Sequence, residues 1–95
     1  MAQTLPDIVV ENTWVSLNSL GPIAVGTAFK IQNKSTTWVI LQESATQPLN
    51  TDTKGELVTD LFHAEPSKLI AAGSLEIWAK STIDSRFATL SVQVV

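Results

Sequence analysis

The residues with the most reactive side chains lie around His63, which is the only histidine in the chain. Asp60 and Glu65 stand on either side of it, so this group offers potential metal ligands and a potential general base. A metal site needs carboxylates that converge on the imidazole, and a catalytic histidine needs a nucleophile beside it. The spacing matches neither arrangement and favours a structural or surface role for His63.

Other carboxylates suggest two further kinds of site. Glu43, Asp52 and Glu56 border a polar stretch and would form a hydrolase site if the fold brought them together. Residues 50–55 weakly resemble a calcium loop, but Lys54 stands where such a loop needs negative charge. The chain has no cysteine, nucleophile elbow, glycine-rich phosphate loop or H-E-x-x-H motif. The sequence therefore predicts a protein that is not an enzyme, with no catalytic residues, metal site or cofactor.

Half of the aromatic residues are tryptophans, and tyrosine is absent. Trp38 lies within an apolar run and is predicted to pack in the core. Trp14 and Trp78 share strand faces with polar residues, so we expect them to be exposed aromatic contacts. Such residues serve as anchors in protein interfaces or as platforms for sugars. Protein contact is favoured, because sugar sites usually also contain tyrosine.

The amino-acid composition of the chain limits the classes of partner that it is expected to bind. Only 16% of the residues are charged, against about 25% in an average soluble protein. Either a partner covers part of the surface, or Ser, Thr, Asn and Gln replace charge there. The basic residues are never adjacent and the net charge is −3, so direct nucleic-acid binding is not expected. No apolar run approaches the ~18 residues of a membrane span, and residues 1–5 lack the features of a secretory signal; we expect no membrane partner and a cytoplasmic origin.

Short alternating segments separated by turn residues recur along the chain, as is typical of β-strands. The predicted strands are residues 8–11, 13–17, 23–32, 37–42, 75–80 and 86–95. Those at 23–32 and 37–42 are predicted to form a hairpin, with a bulge or a close backbone approach at Gly26. Residues 43–55 are predicted to be a long loop, and 64–73 permit one helical turn. The predicted fold class is all-β: a small β-sandwich or barrel of about 6–8 antiparallel strands, in a single domain covering residues 1–95.

The beginning of the chain is predicted to be extended. A β-branched run follows Pro6, whose fixed φ and missing donor suit an edge position. Residues 1–10 are therefore predicted to form either an N-terminal arm along an adjacent subunit or an edge strand. The predicted interface residues are Ile8, Val9, Val10, Trp14 and Trp78.

Five stretches of the chain resemble small virion structural proteins of tailed bacteriophages. In those proteins a short N-terminal segment leads into a "W-V-x-L…G-I-x-V-G-T" pair and an "I-x-N-K" hairpin. The similar stretches here are residues 7–10, 14–18, 21–27, 31–35 and 75–80, most of them in the first half of the chain. These are hairpin and turn patterns, so they indicate a fold and a context.

The resemblance implies a structural role in the virion, as a capsid decoration or cement protein or as a head–tail accessory protein. The implied partners are the major capsid protein or head–tail proteins, and the implied state is a homo-oligomer, often a trimer, assembled in the host cytoplasm. Two alternatives come from other classes. One is a ligand- or glycan-binding β module at a tail or head fibre, and the other is a small hydrolase that uses Glu43, Asp52 or Glu56.

Overall fold

The computed structural model describes residues 3–52, 54–59, 67–82 and 86–95, and in them it forms two antiparallel sheets of four strands each. The elements are β1 (Gln3–Val10), β2 (Val15–Ser16), α1 (Leu17–Leu20), β3 (Phe29–Asn33), β4 (Val39–Glu43), β5 (Glu56–Val58), β6 (Ser67–Ile70), β7 (Ile77–Ser81) and β8 (Ala88–Val94). This confirms the predicted all-β class.

The strand order shows how the chain is wound. The first sheet has the order β1-β8-β3-β6, and the second has the order β2-β7-β4-β5. Within them β1 pairs with β8, β2 with β7, β3 with β6 and β4 with β5, as in one long antiparallel hairpin. Rolling that hairpin up adds the pairs β3–β8 and β4–β7. An eight-stranded double sheet wound in this way is a jelly roll.

The core lies between the two sheets and follows the alternation of the strands. In β3, Phe29 and Ile31 point inward while Lys30 and Gln32 are exposed. The inward residues of both sheets form one cluster, in which each fully buried large side chain contributes about 1.5–3 kcal/mol relative to exposure. Its members include Ile8, Val10, Phe29, Ile31, Val39, Leu41, Val58, Ile70, Ile77, Ala79, Ala88, Leu90 and Val92.

The predicted hairpin between residues 23–32 and 37–42 is wrong. The strand β3 begins only at Phe29, and β3 and β4 belong to different sheets. The connection crosses from one sheet to the other around the buried Asn33. Its Nδ2 donates to the carbonyl of Thr37 (2.7 Å), and its Oδ1 accepts from the amide of Ser35 (3.0 Å). Alternation identifies a strand without identifying the strand that pairs with it.

Two smaller differences between the predicted and the observed elements follow from local side-chain and backbone chemistry. The predicted strand at 13–17 is shortened because Ser16 caps α1, and its Oγ accepts from the amide of Ser19 (3.0 Å). Gly26 has a φ of 93° and lies in a turn rather than in a bulge. The segment that permitted a helical turn contains the strand β6, whereas the long loop lies, as predicted, between β4 and β5.

The N-terminal segment is an edge strand of the first sheet. It pairs with β8 from Gln3↔Val94 to Val10↔Ala88, with an irregularity between Leu5 and Ile8. Ile8 and Val10 are buried in the core of their own chain, and Val9 is 53% exposed. The prediction of an arm on an adjacent subunit is therefore corrected for Ile8 and Val10, because pleating turns alternate side chains of a paired strand inward.

Candidate interaction surface

Successive antiparallel strands place their connections alternately at the two ends of the sandwich. At one end, the amide of Ser81 donates to the carbonyl of Glu11 (2.8 Å), and that of Thr82 donates to the carbonyl of Trp38 (3.0 Å). The exposed side chains of Glu11, Lys34 and Arg86 lie in or beside these connections. We call this end of the molecule the charged end.

The opposite end has a different composition. Two of its connections, residues 17–28 and 71–75, contain no charged side chain, and we call these two the uncharged end; the β4–β5 connection, which carries Asp52 and Lys54, starts at the same end of the second sheet. A hydrogen bond from the amide of Gly73 to the carbonyl of Gly26 (2.9 Å) joins its two connections. Both glycines have positive φ, +93° for Gly26 and +84° for Gly73, and an added Cβ at either would contact nothing within 4 Å. The two turns therefore project into solvent.

Large apolar side chains are exposed at the uncharged end. Leu20, Val25 and Leu75 each keep half or more of their surface accessible. The carboxylate of Glu43 approaches this end, where its Oε2 accepts from the amide of Leu75 (2.7 Å). Exposed apolar groups without charge between them are typical of a surface that contacts another protein. This end is the candidate interaction surface.

Residues 44–52, which we call the covering segment, lie across the outer face of the second sheet. The indole Nε1 of Trp78 donates to the carbonyl of Ser44 (3.0 Å), and that of Trp14 donates to the carbonyl of Asp52 (3.1 Å). In the other direction, Nε2 of Gln47 donates to the carbonyl of Trp14 (2.8 Å). The ends of the segment are thus fixed by the two tryptophans.

The structure attaches both Trp14 and Trp78 to the covering segment but does not expose them as anchors. Trp14 is 1% exposed, and Trp78 is partly buried. Lys80 lies on the same side of β7 as Trp78, yet it is buried under the covering segment, where its Nζ donates to the carbonyl of Asn50. A sugar platform needs an accessible ring face, which Trp14 does not offer. Sequence patterns gave the correct strand face without indicating what covers it.

The three carboxylates of the hypothetical hydrolase site each bind a different partner. Glu43 accepts from the amide of Leu75, Glu56 pairs with Lys68 (2.6 Å between Oε2 and Nζ), and Asp52 accepts from the amide of Lys54 (3.0 Å).

In the described parts of the chain, no three His, Cys, Asp or Glu side chains are grouped as a metal site requires, and no helix is long and apolar enough to span a membrane. His63, Asp60 and Glu65 lie outside the described residues.

We expect Asp52 to titrate below the ordinary aspartate value of 3.8, because the amide of Lys54 lowers its pKa, as does the side-chain amide of Gln42. Its contribution to stability is therefore present above that value and is lost as the pH falls through the lowered pKa. Carboxyl carbon NMR shifts followed from pH 6 to pH 2 measure this directly. A midpoint at or above 3.8 would contradict the geometry, and Asp52→Asn is the control that removes the signal.

The sequence-based search for functional residues missed the uncharged end. The available signal was the absence of charge from two stretches, residues 17–28 and 69–75. These stretches are far apart in sequence, so their common location follows only from the jelly-roll topology.

Comparison with known proteins adds no identity. No protein-family model matches the chain, and neither a curated protein nor a solved structure matches it. The assignment of function therefore depends on the jelly roll, on the distribution of charge and on the sequence resemblance described above.

Proposed function

We propose that this chain is a structural protein of a tailed-bacteriophage virion, most specifically a capsid decoration or cement component. It docks on a neighbouring virion protein with its uncharged end and performs no catalysis. The observation that carries this proposal is the exposure of Leu20, Val25 and Leu75 on two adjoining connections, residues 17–28 and 71–75, that carry no charged side chain. The charged end then points away from that neighbouring protein.

The fold supports this proposal by analogy. Jelly rolls are the architecture of many viral capsid domains, although they also occur in lectins and cupins. The resemblance of residues 7–10, 14–18, 21–27, 31–35 and 75–80 to phage virion proteins points the same way. Docking by the uncharged end is also compatible with the size of the molecule. An interface of standard size takes about 800 Å² from each partner, which is a modest part of the 5395 Å² accessible surface.

Co-sedimentation tests the proposal. The purified chain is mixed with empty capsids of the phage that encodes it, and separately with tails, and each mixture is pelleted. We expect binding to the capsids, at 0.1 M and at 1 M NaCl alike, because an uncharged contact is little affected by screening. Pelleting with tails alone would place the protein at the head–tail junction, and no pelleting with either fraction would overturn the virion assignment.

A double substitution locates the docking surface. Leu20→Asp with Val25→Asp places two unpaired charges in the proposed contact, and we expect capsid affinity to fall at least about a hundredfold. Leu49→Asp is the matched control, because Leu49 is 77% exposed but lies on the covering segment. An equal loss of affinity in the control, or no loss in the double variant, would exclude the uncharged end as the docking surface.

The glycan-binding alternative has less support in the structure. It requires an accessible indole next to the 43–55 loop, and the two tryptophans instead donate hydrogen bonds to that loop and are covered by it. Quenching of tryptophan fluorescence by added oligosaccharides would favour this alternative over virion attachment.

A further inference from the structure

A pocket of about 210 Å³ opens between the two sheets, at the edge where β5 of one sheet and β6 of the other lie side by side. Its floor consists of core residues, among them Leu41, Ile70 and Ile77. Ala71 and Ser74 also line the pocket, which therefore adjoins the 71–75 connection of the uncharged end, and Ser74 is partly accessible. The pocket therefore connects the solvent with the apolar interior and has room for one large apolar side chain.

The rim of this pocket is negatively charged. It carries the carboxylates of Glu43 and Glu56 and the ammonium of Lys68. Lys68 is paired with Glu56 at 2.6 Å between Nζ and Oε2, which ties the edge strands of the two sheets together. Two carboxylates and one ammonium leave an excess of one negative charge. A ligand that matches the pocket therefore combines an apolar group with a cation.

The same chain presents that combination elsewhere on its surface. Phe87 is 61% exposed and is the one exposed aromatic side chain in the described residues. Arg86 precedes it, is also exposed, and makes no ion pair with the residues that the structure describes. Both lie before β8, at the charged end, whereas the pocket lies at the β5–β6 edge. An exposed aromatic residue beside an arginine is a typical anchor of a protein interface.

We propose that Phe87 of one copy inserts into the β5–β6 pocket of a second copy, while its Arg86 faces the rim carboxylates Glu43 and Glu56. Phe87, which we call the knob, and the pocket that receives it lie on different surfaces of the chain. The contact is therefore head-to-tail and generates a closed ring or an open chain of subunits. This contact rests on the proposed function, which supplies its context in the virus particle. It extends that function by identifying how copies of the chain bind each other.

Two variants test the contact from its two sides. Phe87→Ala removes the knob, and Ser74→Trp fills the pocket. We expect the wild-type chain to self-associate in sedimentation velocity, and each variant to weaken that association by roughly thirtyfold, as for an interface hot spot. Leu49→Ala is the matched control, since it removes an even more exposed apolar side chain at a different site. Its association constant should equal that of the wild type.

Mixing the two variants distinguishes this contact from any symmetric one. Phe87→Ala retains an open pocket and Ser74→Trp retains the knob, so an equimolar mixture should form heterodimers and nothing larger. If Ser74→Trp fails to fold, as judged by far-UV circular dichroism, Ala71→Trp replaces it, because Ala71 also lines the pocket and is exposed. A wild-type chain that stays monomeric up to about 1 mM, an affinity too weak for a stable interface, would overturn the inference, as would association that Phe87→Ala leaves unchanged.

Failure of this inference can be separated from failure of the proposed function. Phe87 and Arg86 lie outside the uncharged end, so Phe87→Ala should still pellet with capsids. Capsid binding without self-association overturns only the head-to-tail contact. Self-association without binding to any virion fraction overturns only the virion assignment.

Discussion

Replacing Trp14 with alanine should lower the free energy of unfolding by about 3–5 kcal/mol, the cost of truncating a buried aromatic side chain. Trp14 is almost fully buried between the second sheet and the covering segment. Its loss also leaves the carbonyl of Asp52 without its indole donor. Urea unfolding followed by far-UV circular dichroism measures the change, because that signal does not depend on the tryptophan that is removed.

Trp14→Phe separates packing from hydrogen bonding. It keeps an aromatic ring but removes the N–H, so we expect a smaller loss of about 1–2 kcal/mol. A Trp14→Ala variant within 1 kcal/mol of the wild type would show that the covering segment does not bury this side chain in solution. Since domains of this kind are stable by only about 5–15 kcal/mol, the alanine variant should unfold at a clearly lower urea concentration.

Replacing Gly55 with alanine should lower the free energy of unfolding about as much as Trp14→Ala does. Gly55 has a φ of +134°, and an added Cβ would lie 2.0 Å from the carbonyl oxygen of Leu41. Backbone strain and overpacking each cost about 1–3 kcal/mol, so together we expect a loss of about 3–5 kcal/mol. The carbonyl cannot retreat without disturbing the Leu41↔Glu56 pairing of β4 with β5. Thermal and urea unfolding both measure the loss.

Gly73→Ala is the matched control for this prediction. Gly73 also has positive φ, +84°, but its added Cβ would meet no atom within 4 Å. We expect only the conformational cost, about 1–2 kcal/mol. If both variants lose the same stability, steric contact with Leu41 is not the reason that glycine is needed at position 55.

The sequence was informative where a strand has one buried and one exposed face. Alternation along the predicted strands 86–95 and 75–80 puts Ala88, Leu90 and Val92 on one face of the first and Ile77 and Ala79 on one face of the second, and all five are buried. It was uninformative about pairing, since the side-chain period is the same whichever strand lies alongside. The hairpin between 23–32 and 37–42 failed for that reason. Asn33, which carries the chain from one sheet to the other, looked like an ordinary turn residue.

The candidate surface was harder to predict than the fold. The low charge of the chain drew attention to the surface, but only the topology gathers residues 17–28 and 71–75 at one end. For Ile8 and Val10, an apolar run was taken as a contact surface although alternation already predicts that two of its three residues face inward. Trp14 was misplaced because a distant polar segment covers it, and no local pattern encodes that contact.

The pairing of β1 with β8 affects how the protein folds while it is being synthesised. The strand at Gln3–Val10 finds its neighbour only in Ala88–Val94, so its apolar side chains have no sheet to join while most of the polypeptide is still being made on the ribosome. Proteins with such a high contact order fold slowly, on the order of milliseconds to seconds. Nascent chains of this protein therefore pass through a period of vulnerability to aggregation that lasts until β8 has been synthesised and can pair with β1.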